Sequence, residues 1–501
     1  MPAKLRPFPV YTLSFVLAAC SLLYELLIAT SVAFLTGDTL VTYSLVIGLF
    51  LTGLGIGSYL AGKYQQNTLG RLVKIELLLS LVGGCSVILL HLSLIATPYF
   101  TLSWIVLTLL VATLSGFEVP LLTYLLKNHR NKSKESFFAT VLSFDYLGGL
   151  LASLLFPFLL IPYLGTVSTG LLVGLVNALC ALYLLRGTSD KLLKILTGIL
   201  IVVLLIALGL AGRIYQTLES YLYRDNIVYS EQSPYQRLTL TRAGGNTSLF
   251  LDGKTQFSER DEYRYHEVMA YTLFSYLPPQ KENLNLAILG GGDGLLAARL
   301  RDFDSRIERV TLVDLDPAVI ELGRSNELVR VLNQSVFDWE KLEVITADAF
   351  TTLPGLTDLD GVLVDFPDPQ DLPTARLYSR EFYTTLRSTL TSDGMFITQA
   401  TSPWSVPKTF WGIHKTIRSR FDHLETFQAT VPSFGSEWGF IIASNQPLQT
   451  STIETTSTRY FTTSAAHELH KDHYLSDEEY TGLQVNTLNN LILTTYYRQF
   501  K

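Results

Sequence analysis

Residues 284–294, with the sequence LNLAILGGGDG, decide the fold of the C-terminal half of this 501-residue chain. The first six residues are largely apolar and have the length of a buried strand. The glycines that follow let the backbone turn sharply and approach a ligand closely. A helical pattern begins at about Leu295, so the free N–H groups of a helix N-terminus would face the same turn. This arrangement is shared by nucleotide-binding α/β folds, including those of dehydrogenases and methyltransferases.

Strand and helix patterns alternate beyond this turn. Strands are predicted at 284–289, 309–314, 342–346, 361–365 and 394–398, with helical stretches between them. The pattern predicts a Rossmann-like, doubly wound and mostly parallel sheet, whose ligand lies outside the C-terminal strand ends. Upstream, a polar linker is expected over 213–235. Short alternating runs at 235–242 and 247–253 then predict a β-hairpin around Gly244-Gly245, and a helix follows over about 261–276.

The N-terminal part of the chain is far more apolar. A span across the bilayer core takes about 20 apolar residues, and seven such runs occur, at 9–36, 39–62, 75–95, 99–126, 137–164, 166–185 and 193–212. The first run is not a cleavable signal peptide, because it is long, lacks a clear cleavage site and is followed by further spans. We expect an α-helical membrane bundle of about seven spans over 1–214, a small β subdomain over 215–275 and a Rossmann-like domain over 276–501.

Charge changes sign at the same boundary. Residues 1–214 contain 13 Lys+Arg and 7 Asp+Glu, a net charge of +6, whereas the remainder contains 25 and 37, a net charge of −12. An acidic soluble half suits a polycationic ligand and disfavours nucleic acid. In the apolar half, basic residues occur in alternate loops, and the short loops near 37, 97 and 165 carry none. The positive-inside rule therefore places the N-terminus in the cytoplasm and the chain in the cell membrane as a multi-pass protein.

Three carboxylic acids lie inside the apolar runs, namely Glu25, Glu118 and Asp145. An ionised carboxylate at the bilayer centre is costly, so such residues face protein or a wet cavity. They either line a path for a cationic amine or stay neutral or paired and hold the helices together; we favour the second interpretation. The three cysteines, Cys20, Cys85 and Cys180, also lie in apolar runs and predict neither a disulfide framework nor a metal site.

Acidic residues follow several of the predicted strands. Asp314 ends the second strand about 21 residues after Asp293, the position of an acid that binds ribose hydroxyls. Asp348 follows the third strand, where it would either contact an adenine amino group or cap a helix. Asp365 and Asp368 follow the fourth strand, in the sequence DFPDP, where a carboxylate can accept a proton.

The segment LDGKTQFSERDEYRYHE at 251–267, followed by GGGDG and the acids above, closely resembles the spermidine synthase (polyamine aminopropyltransferase) family over roughly 230–470. The resemblance implies transfer of an aminopropyl group from decarboxylated S-adenosylmethionine to a diamine, most simply putrescine, giving spermidine and methylthioadenosine. It implies no metal and no cofactor beyond this co-substrate. Soluble members are often dimers or tetramers, which suggests a homo-oligomer.

The resemblance also assigns roles to individual residues. Asp365 would be the catalytic proton acceptor. The amine would be bound by Tyr265, His266, Asp293, Asp368 and Gln256. The nucleoside donor would be bound by Gln236, Gly290, Gly291, Gly292, Asp314, Asp348, Ala349 and Pro373. Gln399 matches a further glutamine of the family.

The chain departs from the family pattern in its amine site. Phe366 and Pro367 stand where small hydroxyl residues are usual, and Phe434 stands where a tyrosine contacts the amine, so we expect a more apolar amine site. Two other functions share these features. One is a methyltransferase that uses intact S-adenosylmethionine, whose extra carboxylate Asp293 should repel. The other is a membrane transporter or sensor that binds polyamines without turnover.

The predicted topology conflicts with a cytosolic nucleoside donor. Seven spans from a cytoplasmic N-terminus leave the soluble half outside the cell. Six spans, with the 137–164 run miscounted, would place it inside.

Overall fold

The computed structural model describes residues 7–37, 39–63, 67–126, 134–187, 190–223, 225–451, 453, 458–461, 467–468 and 477–499. The chain divides into two compact units, Met1–Ile227 and Val228–Lys501.

The first unit is built from helices whose apolar side chains form one continuous core. Its helices are α1 Pro7–Thr36, α2 Thr39–Lys63, α3 Thr68–Val82, α4 Ser86–Ala96, α5 Phe100–Ser115, α6 Glu118–Leu126, α7 Lys134–Leu155, α8 Ile161–Leu184, α9 Lys191–Gly209 and α10 Ala211–Tyr223, with a π-helical segment Phe156–Leu160 between α7 and α8. Among the described residues, five helical stretches are long and apolar enough to cross a membrane. The number is six if the bent pair α3–α4 counts as one span.

The stretch Phe138–Leu184 counts as one of these five but reverses direction at Gly165. Gly165 has φ 72° and ψ 177°, which are not helical angles. The hydroxyl of Thr169 donates to the carbonyl of Leu160 at 3.4 Å. Two residues nine apart in a straight helix would be about 13.5 Å apart along the axis. The chain therefore folds back at Gly165, and α7 and α8 form a helical hairpin.

Contacts of α8 and α3 fix their relative direction. The hydroxyl of Ser80 donates to the carbonyl of Gly174 at 2.6 Å, and the amide of Asn177 donates to Glu76 at 3.0 Å. Later residues of α8 thus meet earlier residues of α3, so the two helices are antiparallel.

Helix α7 runs parallel to α1. The hydroxyl of Ser14 donates to the carbonyl of Val141 at 3.1 Å. About two turns further along both helices, a Cβ on Gly149 would lie 3.7 Å from Leu22. The two arms of the hairpin thus pack against different helices of the bundle, α7 parallel to α1 and α8 antiparallel to α3.

The second unit begins with a four-stranded antiparallel sheet, in the order β1-β2-β3-β4. Its strands are β1 Asn226–Gln232, β2 Arg237–Ala243, β3 Asn246–Leu251 and β4 Lys254–Ser258. The predicted hairpin is β2–β3. The predicted polar linker over 213–235 was wrong, because most of it forms α10 and β1. Both elements are half-exposed, and their polar residues are typical of a linker in the sequence.

A mixed eight-stranded sheet follows, in the order β12-β10-β11-β9-β8-β5-β6-β7. Its strands are β5 Leu284–Gly290, β6 Ile307–Asp314, β7 Leu342–Thr346, β8 Leu359–Asp365, β9 Leu390–Gln399, β10 His423–Val431, β11 Ser436–Ser444 and β12 His467–Glu468. The helices are α11 Glu262–Tyr276, α12 Leu295–Leu300, α13 Pro317–Ser325, α14 Glu327–Leu332, α15 Ala349–Thr352, α16 Leu372–Ala375, α17 Arg380–Thr389, α18 Pro407–Arg418, α19 Asp477–Gly482 and α20 Leu493–Arg498. The five predicted strands are β5 to β9, which are parallel.

The strand order reverses around β5, which pairs with β6 on one side and β8 on the other. Gly290 at the end of β5 is paired in register with Asp365 at the end of β8. In open α/β sheets a ligand binds beyond the carboxyl ends of the strands at such a switch point. The fold thus brings the glycine turn and the acid after the fourth predicted strand to one place.

Candidate active site

The glycine turn fits closely against the end of β8. Gly290 and Gly291 have φ of 90° and 69°. A Cβ added at Gly290 would lie 2.1 Å from the carbonyl oxygen of Asp365, and one at Gly291 would lie 3.2 Å from its Oδ2. Larger residues cannot occupy this turn without moving the carboxylate beside it.

Asp314 braces the same turn from the end of β6. Its Oδ2 accepts the backbone N–H of Gly292, and its Oδ1 accepts that of Asp316, both at 2.9 Å. Burial raises the pKa of Asp314 to about 6, although these two bonds favour the ionised form.

Asp365 is buried, with 7% of its surface exposed, and its Oδ1 accepts the hydroxyl of Tyr265 at 2.5 Å. Burial raises the pKa of Asp365, while nearby His266 and the bond from Tyr265 partly offset the rise. A positioned carboxylate of raised pKa is a better proton acceptor than an exposed one.

His266 is held by a buried ion network on α11. Its Nδ1 lies 3.0 Å from Oε2 of Glu262, and Arg299 donates to Oε1 of Glu262 at 2.7 Å. Burial alone would lower the pKa of His266, but Glu262 and the nearby Asp293 and Asp365 raise it above its ordinary value. The imidazole therefore keeps a proton more readily than an exposed histidine and faces the acids of the site.

Asp293 adds a further buried carboxylate. It is 3% exposed, and its Oδ1 accepts the N–H of Leu295 at 2.9 Å. Burial, together with the nearby Asp365 and Asp314, raises the pKa of Asp293 to about 6, although His266 acts in the opposite direction. Because buried negative charge is costly unless it is paired, these three acids form a site that suits a cationic ligand.

Asp368 lies on the loop after β8 and contacts a residue that sequence reasoning missed. The hydroxyl of Tyr497 in α20 donates to its Oδ2 at 2.8 Å. Burial raises the pKa of Asp368, and the bond from Tyr497 partly offsets the rise.

Two predicted nucleoside-binding side chains are engaged by neighbouring protein groups. Gln236 donates to Oδ2 of Asp316 at 3.0 Å. Asp348 accepts the N–H of Phe350 at 2.9 Å as the N-cap of α15, and its other oxygen pairs with Arg376 at 2.5 Å. The helix-capping interpretation of Asp348 is confirmed; its predicted contact with adenine remains a prediction.

The other predicted positions differ in exposure. Ala349 is buried in the first turn of α15, Gln256 is half-buried on β4, and Pro373 is exposed in the first turn of α16. Their assignments to substrates remain predictions.

The two phenylalanines that were expected at the amine site lie in different surroundings. Phe434 contacts the ring of Tyr265, with centroids 5.7 Å apart. Phe366 instead packs its ring against Tyr378 and Phe382 in the core, at 6.3 and 5.5 Å. The ring of Phe366 thus belongs to the apolar core, and its effect on amine binding remains a prediction.

Gln399 serves the structure of the site. Its amide donates to the carbonyl of Phe366 and to the hydroxyl of Tyr378, at 2.5 and 2.6 Å. Its Oε1 accepts the N–H of Thr401 at 2.8 Å. These bonds tie the loop after β8 to the end of β9.

Glu267, the last residue of the quoted motif, was not assigned a role from the sequence. Its carboxylate accepts three backbone N–H groups, from Arg459, Tyr460 and Phe461, at 3.0, 2.8 and 2.9 Å. It thereby fastens a distant segment to α11, and its position beside two site residues was the available signal. Within the described part of the chain, no group of three or more His, Cys, Asp or Glu is arranged to hold a metal ion.

Comparison with known proteins adds a family to this geometry. Residues 262–453 match the family model for the spermine/spermidine synthase domain. The chain is 34% identical over 488 residues to a polyamine aminopropyltransferase of Leptospira interrogans, covering 96% of each protein. It is 38% identical over 445 residues to polyamine aminopropyltransferase 1 of Streptomyces coelicolor, covering 86% of this chain and 82% of the relative. A crystal structure of spermidine synthase from Thermotoga maritima is similar to 55% of this chain over 87% of its own length, with 21% identity and a TM-score of 0.40.

Proposed function

We propose that this chain, which belongs to the spermine/spermidine synthase family and is an aminopropyltransferase, transfers the aminopropyl group of decarboxylated S-adenosylmethionine to putrescine. The observation that carries the choice of a diamine is the buried acid cluster beside the glycine turn. A diamine is a dication at neutral pH, since each amine has a pKa near ~10 as lysine does. Carboxylates at positions 293, 365 and 368 supply the matching negative charge.

The reaction requires little beyond alignment and removal of one proton. The bound ammonium gives a proton to Asp365, and the freed nitrogen lone pair attacks the propyl carbon next to the sulfonium. A C–N bond forms and the C–S bond breaks. Its electrons stay on sulfur, which leaves as the neutral thioether methylthioadenosine. The protonated Asp365 then releases its proton to solvent, and the product amine keeps its positive charge.

The remaining residues divide between the two substrates. Tyr265 orients Asp365, and we assign Tyr265, His266, Gln256, Asp293 and Asp368 to the amine. The nucleoside is assigned to the turn 290–292 and to Gln236, Asp314, Asp348, Ala349 and Pro373. One oxygen of Asp348 caps α15 and the other pairs with Arg376. To accept a hydrogen bond from the adenine amino group, Asp348 must therefore share one of these oxygens or release Arg376.

Asp365→Asn tests the proton acceptor. The amide keeps the size of the side chain but accepts no proton, so amine-dependent release of methylthioadenosine should fall by about 10²–10⁴-fold. Binding of the nucleoside, followed by calorimetry on the detergent-purified protein, should persist. Asp358→Asn makes the same change at the exposed opposite end of β8 and should retain full activity.

Two outcomes would contradict the proposal. Unchanged turnover in Asp365→Asn would remove Asp365 as the acceptor. If the wild-type protein releases methylthioadenosine with no amine of a panel that includes putrescine, cadaverine and agmatine, the proposed transfer fails. Methyl transfer from intact S-adenosylmethionine is assayed in parallel.

We further propose that the first unit is a multi-pass domain of the cell membrane with seven crossings. The reversal at Gly165 supports this number, because α7 and α8 then cross in opposite directions. Helix α7 is 22 residues long, and the part of α8 after Gly165, residues 166–184, has 19, close to the length of about 20 residues that a span requires.

A further inference from the structure

We propose that Tyr497 is a positioning residue for the amine substrate, supplied by a C-terminal segment beyond the region that matches the family model. The match ends at residue 453, and α20 lies forty residues further on. The proposal rests on the proposed aminopropyl transfer, because Asp368 is assigned there to the amine.

Lys415 on α18 attaches the C-terminal segment to the Rossmann-like sheet. Its ammonium donates to the carbonyl oxygens of Tyr480, Thr481 and Leu483, at 3.2, 2.8 and 2.6 Å. These three carbonyls lie in the last turn of α19 and just beyond it. A cation there satisfies them and complements the helix dipole.

Asn486 and Leu493 then fix the direction in which α20 leaves. The carbonyl of Asn486 accepts the N–H of Arg380, and its amide donates to the carbonyl of Ala375, both at 2.8 Å. Leu493 is fully buried, and a Cβ added at Gly412 of α18 would lie 2.8 Å from its Cδ2. The position of Tyr497 is therefore set by close packing of α20 against α18 and by directional bonds in the segment just before α20.

The two carboxylate oxygens of Asp368 lie in different surroundings. Oδ2 accepts the Tyr497 hydroxyl at 2.8 Å, whereas Oδ1 is buried and no described donor reaches it with full hydrogen-bonding geometry. The side chains of Lys254, Gln399 and Thr401 lie near the carboxylate and also lower its pKa. A buried acceptor without a donor is unfavourable unless a ligand supplies one. An ammonium N–H is such a donor, and a charged pair of this kind is among the stronger hydrogen bonds. Tyr497 thus holds one oxygen so that the other is presented to the amine.

Tyr497→Phe keeps the ring and removes the hydroxyl. We expect the KM for putrescine to rise about tenfold, with the KM for decarboxylated S-adenosylmethionine changing less than about twofold. The bond from Tyr497 lowers the pKa of Asp368, so its loss raises that pKa. Amine binding requires the ionised carboxylate, and the acidic limb of kcat/KM for the amine should therefore move to higher pH. A purely structural role would move neither the ratio of the two KM values nor this limb.

Tyr496→Phe is the matched control, because Tyr496 lies in the same helix and its hydroxyl accepts the N–H of Gln484 instead. It should leave the putrescine KM unchanged. In an Asp368→Asn background, Tyr497→Phe should add no further loss. An unaltered putrescine KM in Tyr497→Phe, or an equal rise in both KM values, would overturn the proposal.

Calorimetric binding of putrescine in the presence of methylthioadenosine separates the two proposals. If the wild-type protein shows no turnover yet Tyr497→Phe weakens putrescine binding, the transfer proposal fails and the positioning role stands. If turnover is normal and binding is unaffected by the substitution, only the positioning role fails.

Discussion

At Asp365, burial raises the carboxyl pKa while the Tyr265 hydroxyl and nearby His266 lower it. Tyr265→Phe removes one lowering contribution, so the pKa of Asp365 should rise. Since the ionised carboxylate is the active form, the acidic limb of the kcat/KM profile should move to higher pH. The measurement is methylthioadenosine release from pH 5 to 9 with saturating nucleoside.

Tyr271→Phe is the control for that shift, since Tyr271 lies on the same helix and donates to Asp302 at 2.7 Å, away from the glycine turn. Its profile should match the wild type. A Tyr265→Phe limb at unchanged pH would show that Asp365 does not control it.

Asp293 makes a second prediction, on stability. Its pKa is about 6 in the fold against about 3.9 in an unfolded chain. The folded state thus binds more protons between these values, and stability should increase as pH falls from 7 towards 4. Asp293→Asn should stabilise the ligand-free protein by about 1–2 kcal/mol at pH 8. Thermal unfolding followed at pH 8 and pH 4 measures this gain, which should be absent at the lower pH.

The same variant should lose affinity for the amine. Asp293 would then contribute to amine binding while it lowers the stability of the ligand-free protein. A gain in stability of equal size at both pH values would mean that the charge of Asp293 is not its source.

At the scale of elements, the turn after β5 is the most sensitive point of the Rossmann-like sheet. In Gly290→Ala the new methyl group would meet the Asp365 carbonyl at 2.1 Å, in addition to the strain of a φ of 90°. We expect a loss of at least about 2–3 kcal/mol in unfolding free energy and a collapse of activity. Chemical denaturation and the methylthioadenosine assay measure the two effects.

Gly245→Ala separates clash from strain. Gly245 has φ 82°, but an added Cβ would meet nothing within 4 Å. Its cost should be limited to about 1 kcal/mol of strain, with activity retained. Equal losses in the two variants would mean that the contact with Asp365 is unimportant.

The five parallel strands could be predicted because each is a short, buried, apolar run bounded by turn residues. The same reasoning missed β1 and α10, whose faces are half-exposed and whose polar residues read as a linker. It also missed β10 and β11, which form the antiparallel side of the sheet on either side of the turn at Gly435. A local sequence pattern indicates which residues are buried. These missed elements are instead stabilised by pairing with segments that are distant in the sequence.

Within the candidate site, the glycine turn and Asp314, Asp365 and Asp293 lie together because they follow strands that end at one edge. Tyr497 could not be found this way, since 129 residues separate it from Asp368 and no local pattern marks it. The direction of the Phe366 ring likewise depends on its packing against Tyr378 and Phe382.

At the scale of the whole molecule, the buried acids of the helical bundle either hold its helices together or line a path for a cationic amine. Glu118 is 3% exposed, and the structure adds Glu76, which is fully buried and bonded to Asn177. If these carboxyls hold the helices together in neutral or paired form, Glu118→Gln should leave methylthioadenosine release in detergent within about twofold of the wild type. Glu25→Gln and Asp145→Asn should behave alike. A selective loss of polyamine uptake or binding in vesicles by these variants would favour a path for a cationic amine instead.

The number of crossings decides which face of the membrane carries the end of α9. In the proposed topology the N-terminus is cytoplasmic, and the chain crosses the membrane seven times because α7 and α8 each cross. Exposed positions test this: Thr97→Cys on the loop before α5, Arg186→Cys after α8 and Gln216→Cys after α9. With seven crossings, a membrane-impermeant maleimide applied to intact cells should label the cysteines at 97 and 216 and spare that at 186. The parent chain sets the background, because its own cysteines lie in or against the apolar core of the first unit. If instead the cysteine at 186 is labelled and that at 216 is spared, the chain crosses six times and α7–α8 crosses only once. The first pattern would require the nucleoside and the amine to be available outside the cytoplasm, whereas the second would give the enzyme direct access to cytosolic decarboxylated S-adenosylmethionine.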